Sequence, residues 1–203
     1  MLVKVCGLRD NFAEVASLKP DFTGLIFYPK SPRYVLQNAD NELKKSVSGV
    51  KKVGVFVNEQ FDRIVELAGE YNLDMVQLHG SESVDFCARL RAKIPVIKAF
   101  GISAKEDFAA AEEYAQYADY LLFDTKTKAY GGSGQKFDWS LFNGVSIPQR
   151  FFISGGISLS DIPSIKALKI NNLCGIDLNS RFEIAPALKD IDLLEKAIKN
   201  IRQ

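Results

Sequence analysis

"KKVGVFVNEQFDRIVELAGEYNLDMVQLH", residues 51–79, holds the pattern that decides the fold. Two apolar runs, 51–57 and 74–79, flank "FDRIVELAGEY" at 61–71, where Ile64, Val65, Leu67, Ala68 and Tyr71 recur at helical spacing along one side. The runs are more nearly continuous than alternating, as in strands covered on both faces. A helix between two such strands returns the chain to start a parallel neighbour.

The same unit recurs in both directions from this stretch. Further strand-like runs are "LVKVC" at 2–6, "TGLIF" at 23–27, "PVIKAF" at 95–100, "DYLLF" at 119–123, "RFFIS" at 150–154 and "LCGIDL" at 173–178. Helical spacing returns in "VDFCARLRAK" at 84–93, through Val84, Cys87, Ala88 and Leu90, and in "DIDLLEKAIKNI" at 190–201. In the latter, Asp190 near the start and Lys199 near the end suit the helix dipole. After the sixth run the helical signal is weakest, with only "FDWSLF". Eight strand–helix units in 203 residues, about 25 each, predict an α/β protein, a single-domain (β/α)8 TIM barrel with a parallel eight-stranded core spanning 1–203. An open doubly wound sheet is the alternative, but its usual glycine-rich first turn is missing from "VCGLRD", which has one glycine.

The totals exclude several classes of function. Composition is that of an ordinary globular chain, and a net charge of +1 offers no basic excess for a nucleic-acid backbone. No apolar stretch approaches the roughly 20 residues of a membrane span, and "MLVKVCGLRD" is too short in apolar length for a secretory signal. Three scattered cysteines, Cys6, Cys87 and Cys174, make neither a CxxC pair nor a disulfide framework. The expectation is a soluble cytoplasmic protein with no nucleic-acid or membrane partner.

In a barrel the site lies at the C-terminal ends of the strands and in the loops after them. Strand one ends at Cys6, strand four at His79 and strand six at Asp124. The double glycine of "SGGIS" (Gly155, Gly156) and the loop "NSRFE", with a short helix starting near Ser180, place backbone N–H groups where such barrels hold a phosphate. Arg33, stiffened between Pro29, Pro32 and Tyr34, carries a fork suited to a carboxylate or phosphate; an ordinary surface arginine is nearly as good a reading. His79 is the only histidine, which leaves no histidine-rich metal site; it could be catalytic, but a role supporting the reacting groups from behind, or a structural one, is favoured because "QLHG" lies at a tight strand-to-helix turn. "YGGSG" at 130–134 reads equally as a lid or as a loose connection.

Asp124, after the apolar "LLF", is expected to be desolvated and hence protonated more readily, as suits a general acid; a helix cap or a salt bridge to Lys126 is the competing reading. Cys6 is open to four readings: a small core residue, a redox thiol, a metal ligand or an acid–base group. Across the barrel mouth from Asp124 it can complete an acid–base pair, given a modest downward shift of its pKa. A thiol and a carboxylic acid, without a metal cluster or a nicotinamide fingerprint, fit proton shuffling, that is, isomerisation.

"KVCGLRD", "FYPKSPRYV", "VGVFVN", "VQLHG", "FDTK" with "GGSGQKFDW", "ISGGI" and "GIDLNSRFE…KD", in this order, closely resemble the phosphoribosylanthranilate isomerase family of tryptophan biosynthesis, from residue 3 to about residue 190. The resemblance implies a cofactor-independent Amadori rearrangement of N-(5'-phosphoribosyl)anthranilate to 1-(2-carboxyphenylamino)-1-deoxyribulose 5-phosphate. Asp124 matches the general acid that opens the ribose ring, and Cys6 the base that removes the C2' proton. Arg33 matches the residue that holds the anthranilate carboxylate, and the amides around Gly155, Gly156, Ser180 and Arg181 would hold the phosphate. The partner implied is this small phosphorylated sugar-anthranilate, bound by a monomer or homodimer. Two departures stand out. Arg181 and Phe182 follow the serine where the family often has a glycine, and Ala187 replaces another usual glycine.

Rival readings fit less well. A sister isomerase of the histidine pathway typically uses aspartates at both catalytic strand ends, and Cys6 argues against it. A non-catalytic phosphometabolite sensor predicts loss of the acid or the base, and both are present. A redox sensor built on Cys6 lacks a resolving cysteine nearby in sequence.

Overall fold

A computed structural model describes residues 1–38, 41–126 and 138–203. Eight parallel strands close into a barrel in sequential order: β1 (Leu2–Cys6), β2 (Phe22–Ile26), β3 (Lys51–Phe56), β4 (Met75–Leu78), β5 (Val96–Ile102), β6 (Tyr120–Thr125), β7 (Phe151–Ile153) and β8 (Leu173–Leu178). The seam closes by pairing β1 with β8, Leu2 opposite Gly175 and Val5 opposite Leu178. The open-sheet alternative is thereby removed. The "YGGSG" segment lies outside the described residues.

Alternation along each strand divides the side chains between two cores. Val3, Val5, Val76, Leu78, Leu121 and Phe123 face outward into a large apolar shell shared with the helices. Phe22, Val53, Met75, Ile97, Leu122 and Phe152 face inward and plug the N-terminal half of the barrel, with Phe22 and Phe152 edge to face at 5.6 Å. Above this plug the inward positions turn polar. Lys4, Gln77 and Asp177 are all buried, so the interior changes from apolar to charged along the barrel axis.

Helices α1 (Phe12–Ser17), α2 (Phe61–Glu70), α3 (Val84–Arg91), α4 (Ala109–Tyr114), α5 (Ile162–Ala167) and α6 (Ile191–Arg202) cover the outside. The last helix shows why the sequence folds this way. Asp190 Oδ1 accepts the N–H of Leu193 at 2.9 Å as an N-cap, and Lys199 and Arg202 fall in the last turn. Leu194, Ala197, Ile198 and Ile201 are buried on the opposite face; truncating Leu194 to alanine would cost about 2–5 kcal/mol. In α2, Val65 departs from the expected stripe. It is exposed, while Ile64 and Leu67 are buried, because a helix of ten residues presents only one narrow face to the barrel.

Two connections depart from the strand–helix rule. Between β2 and β3 the described residues form only 3-10 turns, Val35–Asn38 and Asn41–Lys44. Lys52 anchors this connection, its buried ammonium donating to the carbonyls of Leu43, Lys44 and Tyr71. Between β6 and β7 the described residues form one 3-10 turn, Trp139–Phe142, capped by Asp138, matching the weak helical signal there. A small hairpin, β9 (Glu183–Ala185) and β10 (Leu188–Lys189), follows β8. At its turn Ala187 is buried with φ +74°, a left-handed conformation that favours glycine and accounts for the residue usual there.

Candidate active site

The C-terminal strand ends surround a cleft lined by polar and apolar side chains. Cys6, Arg33, Asp124, Gly155, Gly156, Ser180 and Arg181, which come from strand ends and loops spread along the chain, all line it.

Cys6 sits on the cleft floor at the end of β1. Lys4, two residues earlier and therefore on the same inner face, lies beneath it, fully buried. The Lys4 ammonium donates to Asp177 Oδ1 at 3.0 Å, and Ser154 Oγ donates to Asp177 Oδ2 at 3.5 Å. Burial works against the Lys4 cation, yet Asp177 and Cys6 outweigh it and hold the lysine above its ordinary pKa. Burial pushes the Cys6 thiol up, and Lys4 pulls it the other way without overcoming that push. The modest downward shift that would make Cys6 a ready base is not what its surroundings provide: its pKa is raised. The sulfur has little room to move, because Gly24 of β2 lies alongside and a Cβ there would come within 2.7 Å of it.

Asp124 stands at the end of β6. Its Oδ1 accepts the N–H of Thr125 at 2.7 Å, and its Oδ2 lies 3.7 Å from His79 Nε2. Burial raises its pKa to about 6, with Asp177 adding to the rise and the Thr125 N–H and Lys4 opposing it. Lys126 pairs with Asp107 at 2.9 Å rather than with Asp124, and among the described residues Asp124 caps no helix. Gly155, at φ +94°, lets its loop pass directly over this carboxyl: a Cβ would meet Thr125 Oγ1 at 2.3 Å and Asp124 Oδ1 at 3.0 Å.

His79 and Gln77 share the inner face of β4 and its continuation. Gln77 Nε2 lies 2.8 Å from His79 Nδ1, and the amide's Oε1 is buried with no hydrogen bond among the described residues. Burial, reinforced by Lys4 and Lys98 and opposed by Glu82, lowers the His79 pKa to about 4. The imidazole is thus neutral at physiological pH.

Arg33 lines the cleft, but much of its fork already has a partner. Nε donates to both oxygens of Glu183 at 2.9 and 3.0 Å, and Nη2 donates to Oε2 at 2.6 Å. Lys189 Nζ donates to the same carboxylate at 2.7 Å and to Asn179 Oδ1 at 2.9 Å. Burial opposes the Glu183 charge, but Arg33 and Lys189 together hold its pKa below the usual carboxylate range. The Nη1 edge lies outside this fork. Gly155 and Gly156 both have positive φ, +94° and +61°, and Arg181 is exposed at the rim.

Residue-by-residue reading of the sequence missed Lys4, Gln77, Asp177 and Glu183. A signal existed for the first three, since each is a polar residue inside an apolar strand run, and Lys4 and Gln77 are in step with Cys6 and His79 on the inner face.

The family model for N-(5'phosphoribosyl)anthranilate (PRA) isomerase matches residues 3–200. The chain belongs to the phosphoribosylanthranilate isomerase family. A relative in it, the N-(5'-phosphoribosyl)anthranilate isomerase of Parabacteroides distasonis, is 44% identical over 207 residues, covering 99% of this chain and 93% of that protein. The crystal structure of phosphoribosyl anthranilate isomerase from Thermotoga maritima superposes with a TM-score of 0.88 at 35% identity, covering 100% of this chain and 99% of that one. A further family structure, solved in complex with reduced 1-(o-carboxyphenylamino)-1-deoxyribulose 5-phosphate, matches with a TM-score of 0.82 at 30% identity, covering 100% and 98%. The family's members are isomerases of tryptophan biosynthesis, and its barrel is the one described here. No described helix is long and apolar enough to cross a membrane.

Proposed function

We propose that this chain isomerises N-(5'-phosphoribosyl)anthranilate with Asp124 as general acid and Cys6 as general base. The observation that carries the assignment of roles is the environment of Asp124. It is a carboxyl raised to about 6 by burial, in the same cleft as a buried thiol and between two loops suited to anions. The Asp124 proton passes to the ribose ring oxygen as the C1'–O bond breaks, leaving an iminium ion. Cys6 takes the C2' proton, and its electron pair forms the enolamine, which tautomerises to the ketone. Arg33 offers its Nη1 edge to the anthranilate carboxylate while Glu183 holds the rest of the guanidinium. The amides around Gly155, Gly156, Ser180 and Arg181 hold the phosphate. Anchoring both anionic ends supplies the orientation that lets a modest acid and base act.

The two pKa directions imply an inverted protonation pattern. With Asp124 near 6 and Cys6 raised, the reactive form, thiolate beside carboxylic acid, is the minor one. It pairs a strong base with a usable acid, and its population stays constant between the two pKa values. The expected profile of kcat/KM is a plateau from about pH 6 to beyond the ordinary thiol range. On this reading the whole chain, 1–203, works as one barrel domain in the cytoplasm, as a monomer or homodimer, on a small phosphorylated substrate.

The test is the decay of phosphoribosylanthranilate fluorescence on adding purified protein in EDTA, with anthranilate release monitored to detect hydrolysis. Rapid decay that is nearly abolished in Cys6→Ser and Asp124→Asn is expected. Absence of turnover by the folded wild type sinks the reading, and full activity in either variant sinks that residue's role.

A further inference from the structure

Gln77, His79 and Asp124 form a connected line along the cleft wall that the acid–base scheme does not use. Gln77 is buried in β4, and its position in the strand leaves it little freedom. Its Nε2 can only donate, so at 2.8 Å the His79 Nδ1 is the acceptor. A neutral ring whose Nδ1 accepts carries its proton on Nε2. That nitrogen is the one facing Asp124 Oδ2, at 3.7 Å. The separation exceeds a hydrogen bond, and catalytic hydrogen bonds commonly tighten only as substrate and transition state are bound. Both side chains are about one-fifth exposed, so both reach the space a substrate would fill.

We propose that His79, held by Gln77 as the Nε2–H tautomer, is a positioning residue for Asp124: its N–H turns to Oδ2 and hydrogen-bonds the carboxylate as the acid gives up its proton. The step balances without any further group. Asp124 loses H⁺ to the ribose oxygen, its charge appears on a carboxylate already bonded at Oδ1 to the Thr125 N–H, and the His79 donor completes the second oxygen. The imidazole moves no proton itself. A cationic His79 would instead bind the carboxylate before reaction and weaken its readiness to hold a proton. The charges of Lys4 on β1 and Lys98 on β5 oppose that cation, and Glu82 favours it. Among the described residues the charged and titratable groups acting on Asp124 are Asp177, Lys4 and His79.

This inference rests on Asp124 being the acid, and the experiment separates the two. Because His79 is the chain's only histidine, ¹⁵N-histidine labelling of the full-length protein gives one ring to observe. Long-range ¹H–¹⁵N correlation spectra are expected to show a protonated Nε2 and a bare Nδ1, unchanged from about pH 8 to about pH 5. Gln77→Leu is expected to lose this single-tautomer pattern. A protonated Nδ1 in the wild type overturns the proposal without touching the assignment of the acid.

Kinetics supply the second arm. His79→Leu is expected to lower kcat roughly tenfold to a hundredfold, the range for a hydrogen bond to a charged group, with KM little changed. It also moves the acid limb of the kcat/KM profile, which follows Asp124, to higher pH. His79→Gln, which can place an N–H near the Nε2 position, is expected to recover part of both effects. If Asp124→Asn is inactive while folded His79→Leu keeps the wild-type kcat and pH profile, the positioning role is wrong and the acid stands. If Asp124→Asn retains turnover, the acid assignment fails first.

Discussion

Asp124→Asn should make the protein more stable while making it inactive. In the folded state burial holds the Asp124 pKa near 6, against an ordinary value of 3.8. The folded protein therefore binds this proton more tightly than the unfolded chain. The penalty is absent below the ordinary pKa, grows as pH rises from about 4 to about 6, and is complete above that. At 1.36 kcal/mol per pH unit the gap amounts to about 3 kcal/mol at neutral pH. Asparagine removes the charge but keeps an oxygen to accept the Thr125 N–H, so little else is lost. For a chain of this length about 3 kcal/mol corresponds to a rise in Tm of roughly 6–12 °C at pH 7.5. Thermal unfolding of wild type and variant at pH 7.5 and pH 4 measures it, and the difference should nearly vanish at the lower pH. A Tm at pH 7.5 equal to or below wild type would refute the reasoning, as would a gain that is the same at both values. The expected result identifies the acid as a group for which the fold sacrifices stability to function.

Three further outcomes follow from the same geometry. Glu183→Gln leaves Arg33 and Lys189, both buried, facing a neutral amide; urea unfolding should show a loss of about 3–5 kcal/mol, and KM should rise as the Arg33 fork loosens. Gly155→Ala forces a Cβ against Thr125 and the Asp124 carboxyl, and kcat should fall on the order of a hundredfold with an unchanged circular dichroism spectrum. Lys4→Met removes the cation beneath Cys6, and the rate of Cys6 alkylation at pH 8, read by peptide mass spectrometry, should drop roughly tenfold or more. Alkylation of Cys87 and Cys174, which Lys4 does not approach, should be unchanged and serves as the internal control.

The barrel was legible because its signal is repeated. The boundaries of "LVKVC" and "LCGIDL" coincide with β1 and β8, and the other runs shift by a residue or two at their ends. Val65 misled because helical spacing places a residue near a face without saying how wide the buried stripe is. The missing helix between β2 and β3 was hidden for a different reason: its place is taken by 3-10 turns anchored on the buried Lys52, a tertiary contact with no local signature. At the site, the strand-end rule found the residues that line the cleft but not their electrostatics. Cys6 beside a glycine says nothing of the burial that raises its pKa, nor of Lys4 opposing it. Arg33 and Glu183 lie 150 residues apart, and no short motif could join them.

The seam between the first and last strands also has a consequence in time. Lys4 meets Asp177 across 173 residues, and Asn11 exchanges hydrogen bonds with the backbone of Lys189 across 178. Every one of these contacts joins the earliest part of the chain to its end. During synthesis, which proceeds from the N-terminus at about 5–20 residues per second, the strand bearing Cys6 must therefore wait for nearly the whole polypeptide. Until β8 and its hairpin emerge, the Lys4 charge has no counter-ion and Arg33 has no clamp. The nascent chain carries Lys4, Cys6 and Arg33 but not the partners that hold them, and the cleft is complete only once β8 and its hairpin are made.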